Sequence, residues 1–228
     1  MAILFKFTPI VYKMIKNSQN PLVLTAPVNG SLPNARHHPY EAQLDALEAV
    51  LCADTITQIL GLAPVQSIVD LERLLERYRT TLLEPIELPA ITRACTLATR
   101  GHADELIEQD QAFGGIHPEW LLLMPASTRI GRDYLNRLRP LQDERIVQRL
   151  VEAVKYGRTP GHHLTVFGLT MAVFSIARRQ GLAEYAQFAL QAVVSTAAGK
   201  LKISQEERDC LLSKSEAQLP KSISRLVA

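Results

Sequence analysis

The chain has little sulfur chemistry and few aromatics: three cysteines, one tryptophan and 6% Phe, Tyr and Trp in 228 residues. Cys52, Cys95 and Cys210 are odd in number and far apart. They exclude a fully paired disulfide framework and offer no Cys-x-x-Cys metal clamp. Free, buried thiols in a reducing compartment are the expectation. Charge of one sign is also lacking: 25 basic against 23 acidic residues leave a formal +2. No broad field therefore points to nucleic acid or a membrane surface. Apolar runs are short, and none reaches the roughly 18 uncharged residues of a membrane span. The apolar start from Met1 to Ile15 is interrupted by Lys6, Pro9 and Lys13 and followed by no small-residue cleavage pattern. A secretory leader is not expected, and the protein reads as cytoplasmic.

Strand signals are missing too, since no sustained period-two alternation leads into a hairpin turn. Helical periodicity takes their place. Ile68, Leu71, Leu75, Tyr78 and Leu82 recur in three-four steps, with Glu72, Arg73, Glu76, Arg77 and Arg79 elsewhere on the wheel. Ser67 with Asp70 predicts the start of that helix, and Glu84-Pro85 predicts its end. Further helices are predicted over 89–100, 102–113, 118–138, 143–156, 160–179, 182–199, 204–215 and 218–226. Pro160 behind Thr159 reads as an N1 proline, and Ser204 with Glu207 as a capping box. Residues 1–39 carry the punctuation of an irregular segment, concentrated in Asn20-Pro21, Asn29-Gly30 and Leu32-Pro33-Asn34. The expectation is an all-α chain, a single compact bundle of about ten helices over residues 40–228.

Candidate chemistry centres on His162-His163, which enter a segment almost free of charge. Adjacent imidazoles can ligate a transition metal, or one can act as a general base. Consecutive helical residues diverge, however, and no Glu, Asp or Cys lies three or four positions on. That leaves the ligand set incomplete and favours one histidine at a helix end with the other facing solvent or a partner. His37-His38, His102 and His117 add imidazoles without a flanking motif. Nucleophile elbows, His-Glu-x-x-His and phosphate loops are absent. The acid pairs Glu105/Glu108 and Glu206/Glu207 sit among polar neighbours and read as solvated faces. Ser195-Thr196-Ala197-Ala198-Gly199 allows close helix approach, within the chain or between subunits. Lys200 follows it, favourably placed against a helix C-terminal dipole.

Several of these stretches resemble, in order, segments of the urease accessory protein UreF family. They are Ile86-Glu87-Leu88-Pro89 with Ala94 and Gly101; Ser127-Thr128-Arg129-Ile130-Gly131-Arg132; His162-His163 through Phe167-Gly168-Leu169; Val193 to Leu201; and Ser224-Arg225-Leu226. The family's N-terminal glycine-rich signature is reduced here to Leu32-Pro33 and, at altered spacing, Ala46-Leu47-Glu48. After Lys200-Leu201 the chain continues Lys202-Ile203-Ser204-Gln205 where the family has Pro-x-Gly-Gln.

The resemblance implies an all-α homodimer and a non-enzymatic scaffold that needs no cofactor or metal of its own. It implies that the scaffold binds UreD (UreH in some organisms) and recruits the GTPase UreG, which delivers nickel to apo-urease. Partner-binding residues implied by the match are His162, His163, Lys200, Arg225 and Leu226. On that reading the tail from Pro220 to Ala228 orders only against UreD. Two other classes remain open from the residues alone: a helical module binding a small apolar ligand, and a metal-dependent helical enzyme using the histidine pairs.

Overall fold

A computed structural model of the chain describes residues 39–227. Nearly all of the segment expected to be irregular, with His37 and His38, lies outside the described residues. The described part is all-α, with eleven α-helices. They are α1 (Pro39–Asp45), α2 (Ala53–Ile59), α3 (Ile68–Tyr78), α4 (Leu88–Thr99), α5 (Ala103–Ile116), α6 (Met124–Leu138), α7 (Arg145–Lys155), α8 (His163–Val173), α9 (Arg178–Leu201), α10 (Gln205–Glu216) and α11 (Leu219–Val227).

Local signals place several starts. Ser67 Oγ accepts the Asp70 N–H at 3.2 Å and so caps α3. Ser204 and Glu207 form the reciprocal capping box of α10. Of the predicted stripe Leu71, Leu75, Tyr78 and Leu82 are buried and Ile68 is half-buried, and Leu74, outside the stripe, is buried beside them.

Pro85 does not stop the chain. Arg79–Glu87 winds as a π-helix straight into α4, and the Leu88 N–H reaches back five residues to the Leu83 carbonyl. A proline lacks the N–H that an α-turn would use, and the wider turn accommodates that gap without breaking the rod. Arg79, predicted to lie off the apolar stripe, is nevertheless buried at this junction and paired with Glu76 at 2.8 Å and Glu84 at 2.6 Å.

At the centre lies α8, buried on every face from His163 to Met171. A helix apolar all round must be enclosed, and α4 and α6 flank this one. Glycine makes that enclosure tight. A Cβ on Gly168 would stand 2.7 Å from both the Ala94 Cβ and the Ile91 carbonyl oxygen of α4.

The tail is a correction. Residues 219–227 form α11 in the isolated chain, with Leu219 and Ile223 each 3% exposed in the core against α4 and α9. Leu219 and Ile223 anchor the segment on the chain's own helices, with Leu226 and Val227 packed beside them, so it is helical without UreD present. Of the cysteines Cys95 alone is buried, while Cys52 is half-buried and Cys210 exposed.

Candidate functional site

The entry to α8 gathers the polar groups of the core. Its N-cap is His162 in extended conformation, so the first turn presents N–H groups with no partner of their own along the helix. Asp110, fully buried on α5, supplies acceptors. Its Oδ2 takes the Gly161 N–H and the Thr159 hydroxyl, both at 2.6 Å, and its Oδ1 takes the His162 N–H at 2.9 Å. Thr159 thus serves α8 through Asp110 and not as an N-cap, and Pro160 lies before the helix proper. Gly161 turns the chain at φ +77°, a left-handed conformation that suits glycine.

Ser127 and Gly131, one turn apart on α6, meet that entry. A Cβ on Gly131 would stand 2.1 Å from the Gly161 carbonyl oxygen, so only glycine lets α6 lie this close. Ser127 Oγ sits 2.8 Å from His163 Nδ1 and 3.3 Å from His162 Nδ1, and accepts the His163 N–H at 3.3 Å. His163 Nε2 is 3.0 Å from the Tyr185 hydroxyl of α9. The Tyr185 and Tyr78 hydroxyls both donate to Glu87 Oε2 at 2.9 Å. Five side chains therefore form one line of hydrogen bonds: His162, Ser127, His163, Tyr185, Glu87.

Both histidines are interior, at 3% and 5% exposed, so the expectation that one faces solvent gives way to a joint place in this line. Burial, and then the neighbouring His162, hold His163 down to about 3, so it is neutral. His162 is lowered by burial, against the attraction of Asp110 and with a further push from Arg132. Glu87 is raised to about 7 by burial, which outweighs its two tyrosine donors, and its Oε1 has no hydrogen bond. Trp120 stacks on His163 with ring centroids 5.7 Å apart.

The line ends at a surface cleft of about 680 Å³ between α5, α6 and the Pro160 turn. Arg129, Arg132, Asp133, Gln111, Thr128 and His162 contribute its polar lining. Arg132 Nε donates to the Pro160 carbonyl at 2.8 Å.

The other sequence candidates lie apart from the histidines. Lys200, exposed at the end of α9, pairs with Asp54 of α2. Arg225 is exposed on α11 and Leu226 packs half-buried against the core. Arg179, at the start of α9, donates to Ser224 of α11 at 2.5 Å. Roughly 30 Å of helix, at 1.5 Å per residue, separates Arg179 from Lys200, so Lys200 and Arg225 mark opposite ends of α9. In the small-residue patch Ala197 and Ala198 are core, while Ser195 and Gly199 are exposed.

Asp110 was not singled out by sequence reading. Its signal was an acid on the same side of the helix as Leu106, Ile107 and Phe113, an apolar stripe where a solvated acid does not belong. Among the described residues no three His, Cys, Asp or Glu side chains form a metal-binding group, and no helix is long and apolar enough to cross a membrane.

These features define an all-α protein whose central helix is anchored by an internal polar line and by glycine contacts. The chain belongs to the UreF family, a family of urease accessory proteins, whose model matches residues 65–207. No curated protein and no solved structure matches the chain.

Proposed function

We propose that this protein is a urease maturation factor: a homodimeric cytoplasmic scaffold, without chemistry of its own, that binds UreD or UreH and recruits UreG for nickel insertion into apo-urease. The observation that carries the reading is the family match over residues 65–207, which runs from before α3 into α10. It includes the residues that build the centre, Glu87, Ser127, Gly131, His163 and Gly168, each with a packing or hydrogen-bonding task.

The two histidines serve partners from within, by fixing α6 and the Pro160 turn. Lys200 engages UreG by exchanging Asp54 for a partner carboxylate. Arg225, exposed on α11 beside the half-buried Leu226, presents its planar fork to UreD. The exposed Ser195 and Gly199 give the late helices a surface that a second copy can approach closely.

Co-expression of the tagged full chain with UreD and UreG tests the whole reading. The expected result is retention of UreD, retention of UreG through it, and restored urease activity in a strain lacking its own factor. Failure to retain either protein overturns it.

A further inference from the structure

We propose that the cleft floored by His162 is a carboxylate-binding site, and that a bound carboxylate is matched by one proton passed along His162, Ser127, His163 and Tyr185 to rest on Glu87. This holds for the chain whatever assembly it enters.

The direction of the line follows from its inner end. An ionised Glu87 accepts from both tyrosines, so the Tyr185 hydroxyl points at Oε2 and must itself accept from His163 Nε2–H. His163 Nδ1 is then the acceptor of the Ser127 hydroxyl, and the Ser127 oxygen accepts from His162 Nδ1–H. Thr128 Oγ1, at 3.4 Å, is the other neighbour of that nitrogen. His162 Nε2 has no hydrogen-bond partner among the described residues and is not among the buried unpaired atoms. It therefore shows a lone pair to the cleft.

A proton arriving at His162 Nε2 shifts every link by one bond. His162 gives its Nδ1 proton to Ser127, Ser127 gives its own to His163 Nδ1, His163 gives its Nε2 proton to Tyr185, and Tyr185 gives its own to Glu87. One proton has entered, one carboxylate has become a carboxylic acid, and every other group is neutral again with its tautomer reversed. His162 now shows an N–H donor to the cleft. A carboxylate needs a donor there and is repelled by a lone pair, so its binding selects the protonated state.

The lining supplies the rest of the recognition. Arg129 and Arg132 outnumber Asp133, and the Nη groups of Arg132 make no hydrogen bond to the described residues. Among the described residues the titratable groups acting on Glu87 are neutral, Tyr78 from α3 and Tyr185 from α9. No charged neighbour therefore fixes its state, and burial opposed by the two tyrosine donors sets it near neutrality, where a proton can be gained or lost. The charged groups acting on His162 are Asp110 from α5 and Arg132 from α6, which oppose each other.

The test uses the full chain with two probes, acetate and a blocked Ala-Ala-Glu-Ala-Ala peptide, both ionised well above their own titration. Binding is followed by the ¹⁵N shifts of the histidine rings. From near pH 8 to near pH 6 the dissociation constant is expected to fall about tenfold, the factor for uptake of one proton by a group near 7. His162 passes from the Nδ1–H to the Nε2–H neutral tautomer as this happens. Glu87→Gln abolishes the pH dependence. Tyr185→Phe and, as a second break, Ser127→Ala leave the Glu87 carboxyl titrating by ¹³C while His162 no longer follows.

Binding of both probes supports a site for any carboxylate, and binding of the peptide alone supports a partner's side chain. The proposal is overturned if neither probe shifts His162, if His162 becomes an imidazolium, or if the pH dependence survives Glu87→Gln.

Discussion

Two sets of polar side chains tie distant helices of this protein together, and they obey opposite physics. Around α8 the partners Asp110, Ser127, His163, Tyr185 and Glu87 are buried, and each link joins groups at least 22 residues apart in sequence. Around the late helices the links are the exposed ion pairs Lys200 with Asp54 and Lys214 with Glu72. Inside, removing a partner strands its mate away from water, which costs the mate's full desolvation. Outside, water and salt replace a lost partner at little cost. Lys200 on α9 and Ser127 on α6 thus differ above all in what surrounds them, water in one case and the core in the other.

The sharpest way to widen that contrast is Asp110→Ala. It strands two N–H groups and a hydroxyl, so unfolding free energy should fall by about 4 kcal/mol, read by urea denaturation. Gly131→Ala comes next. Alanine's better helix propensity offers about 1 kcal/mol, but a methyl 2.1 Å from a carbonyl oxygen forces the backbone apart, and the net loss should be about 3 kcal/mol in the same assay.

Acidity separates the two sets as well. The folded protein holds Glu87 near 7 against an ordinary 4.5, so it keeps a proton there that the unfolded chain releases. That contribution is full below 4.5 and is lost as pH rises through 7. His163, held near 3 against 6.5, acts oppositely but is common to both proteins compared. Between about pH 5 and pH 8, Glu87→Gln should therefore gain about 2 to 3 kcal/mol on the unaltered chain.

Deleting residues 220–228 removes the buried Ile223 and the packing of Leu226, and should cost about 2 kcal/mol, read as a lowered Tm of the isolated protein. An unchanged Tm would return the tail to the status of a segment that orders only on a partner. Smallest of all is Lys200→Ala, whose Tm should not move measurably while urease activation in a complementation assay falls. Normal activation would remove Lys200 from the partner surface.

What sequence reading captured is what local chemistry decides. The caps at Ser67 and Ser204, the stripe of α3 and the all-α class need only neighbours within a turn or two. Where tertiary contact decides, it failed. Residues 180–181 fall between two predicted helices, yet Gly181 lies inside α9, where the Met171 side chain packs so closely that a Cβ would stand 2.5 Å from it. The break falls instead at residues 174–177, where Ser175 takes φ +55° without a glycine or proline to announce it. Pro85 was read as a stop because an α-turn was assumed, and the π-turn has no such requirement. Of the site, the serine, the glycines and the histidines were visible as a resemblance. The links through Asp110 and Tyr185 were not, since each joins groups far apart in sequence.

Trp120 is the chain's one tryptophan, fully buried, stacked on His163 and edge-on to Phe113 at 5.4 Å. The molecule therefore carries an optical gauge at the midpoint of its polar line, in a protein otherwise dark to excitation at the red edge of the indole band. Its emission reports the ring next to it, so a tautomer change at His163 or a loosened α6 registers as a change in intensity before any change in wavelength. A red shift, by contrast, reports solvent reaching the indole as the fold opens. One cuvette can thus separate rearrangement of the interior from its loss, without a label and in the assembled complex, provided the partners lack tryptophan.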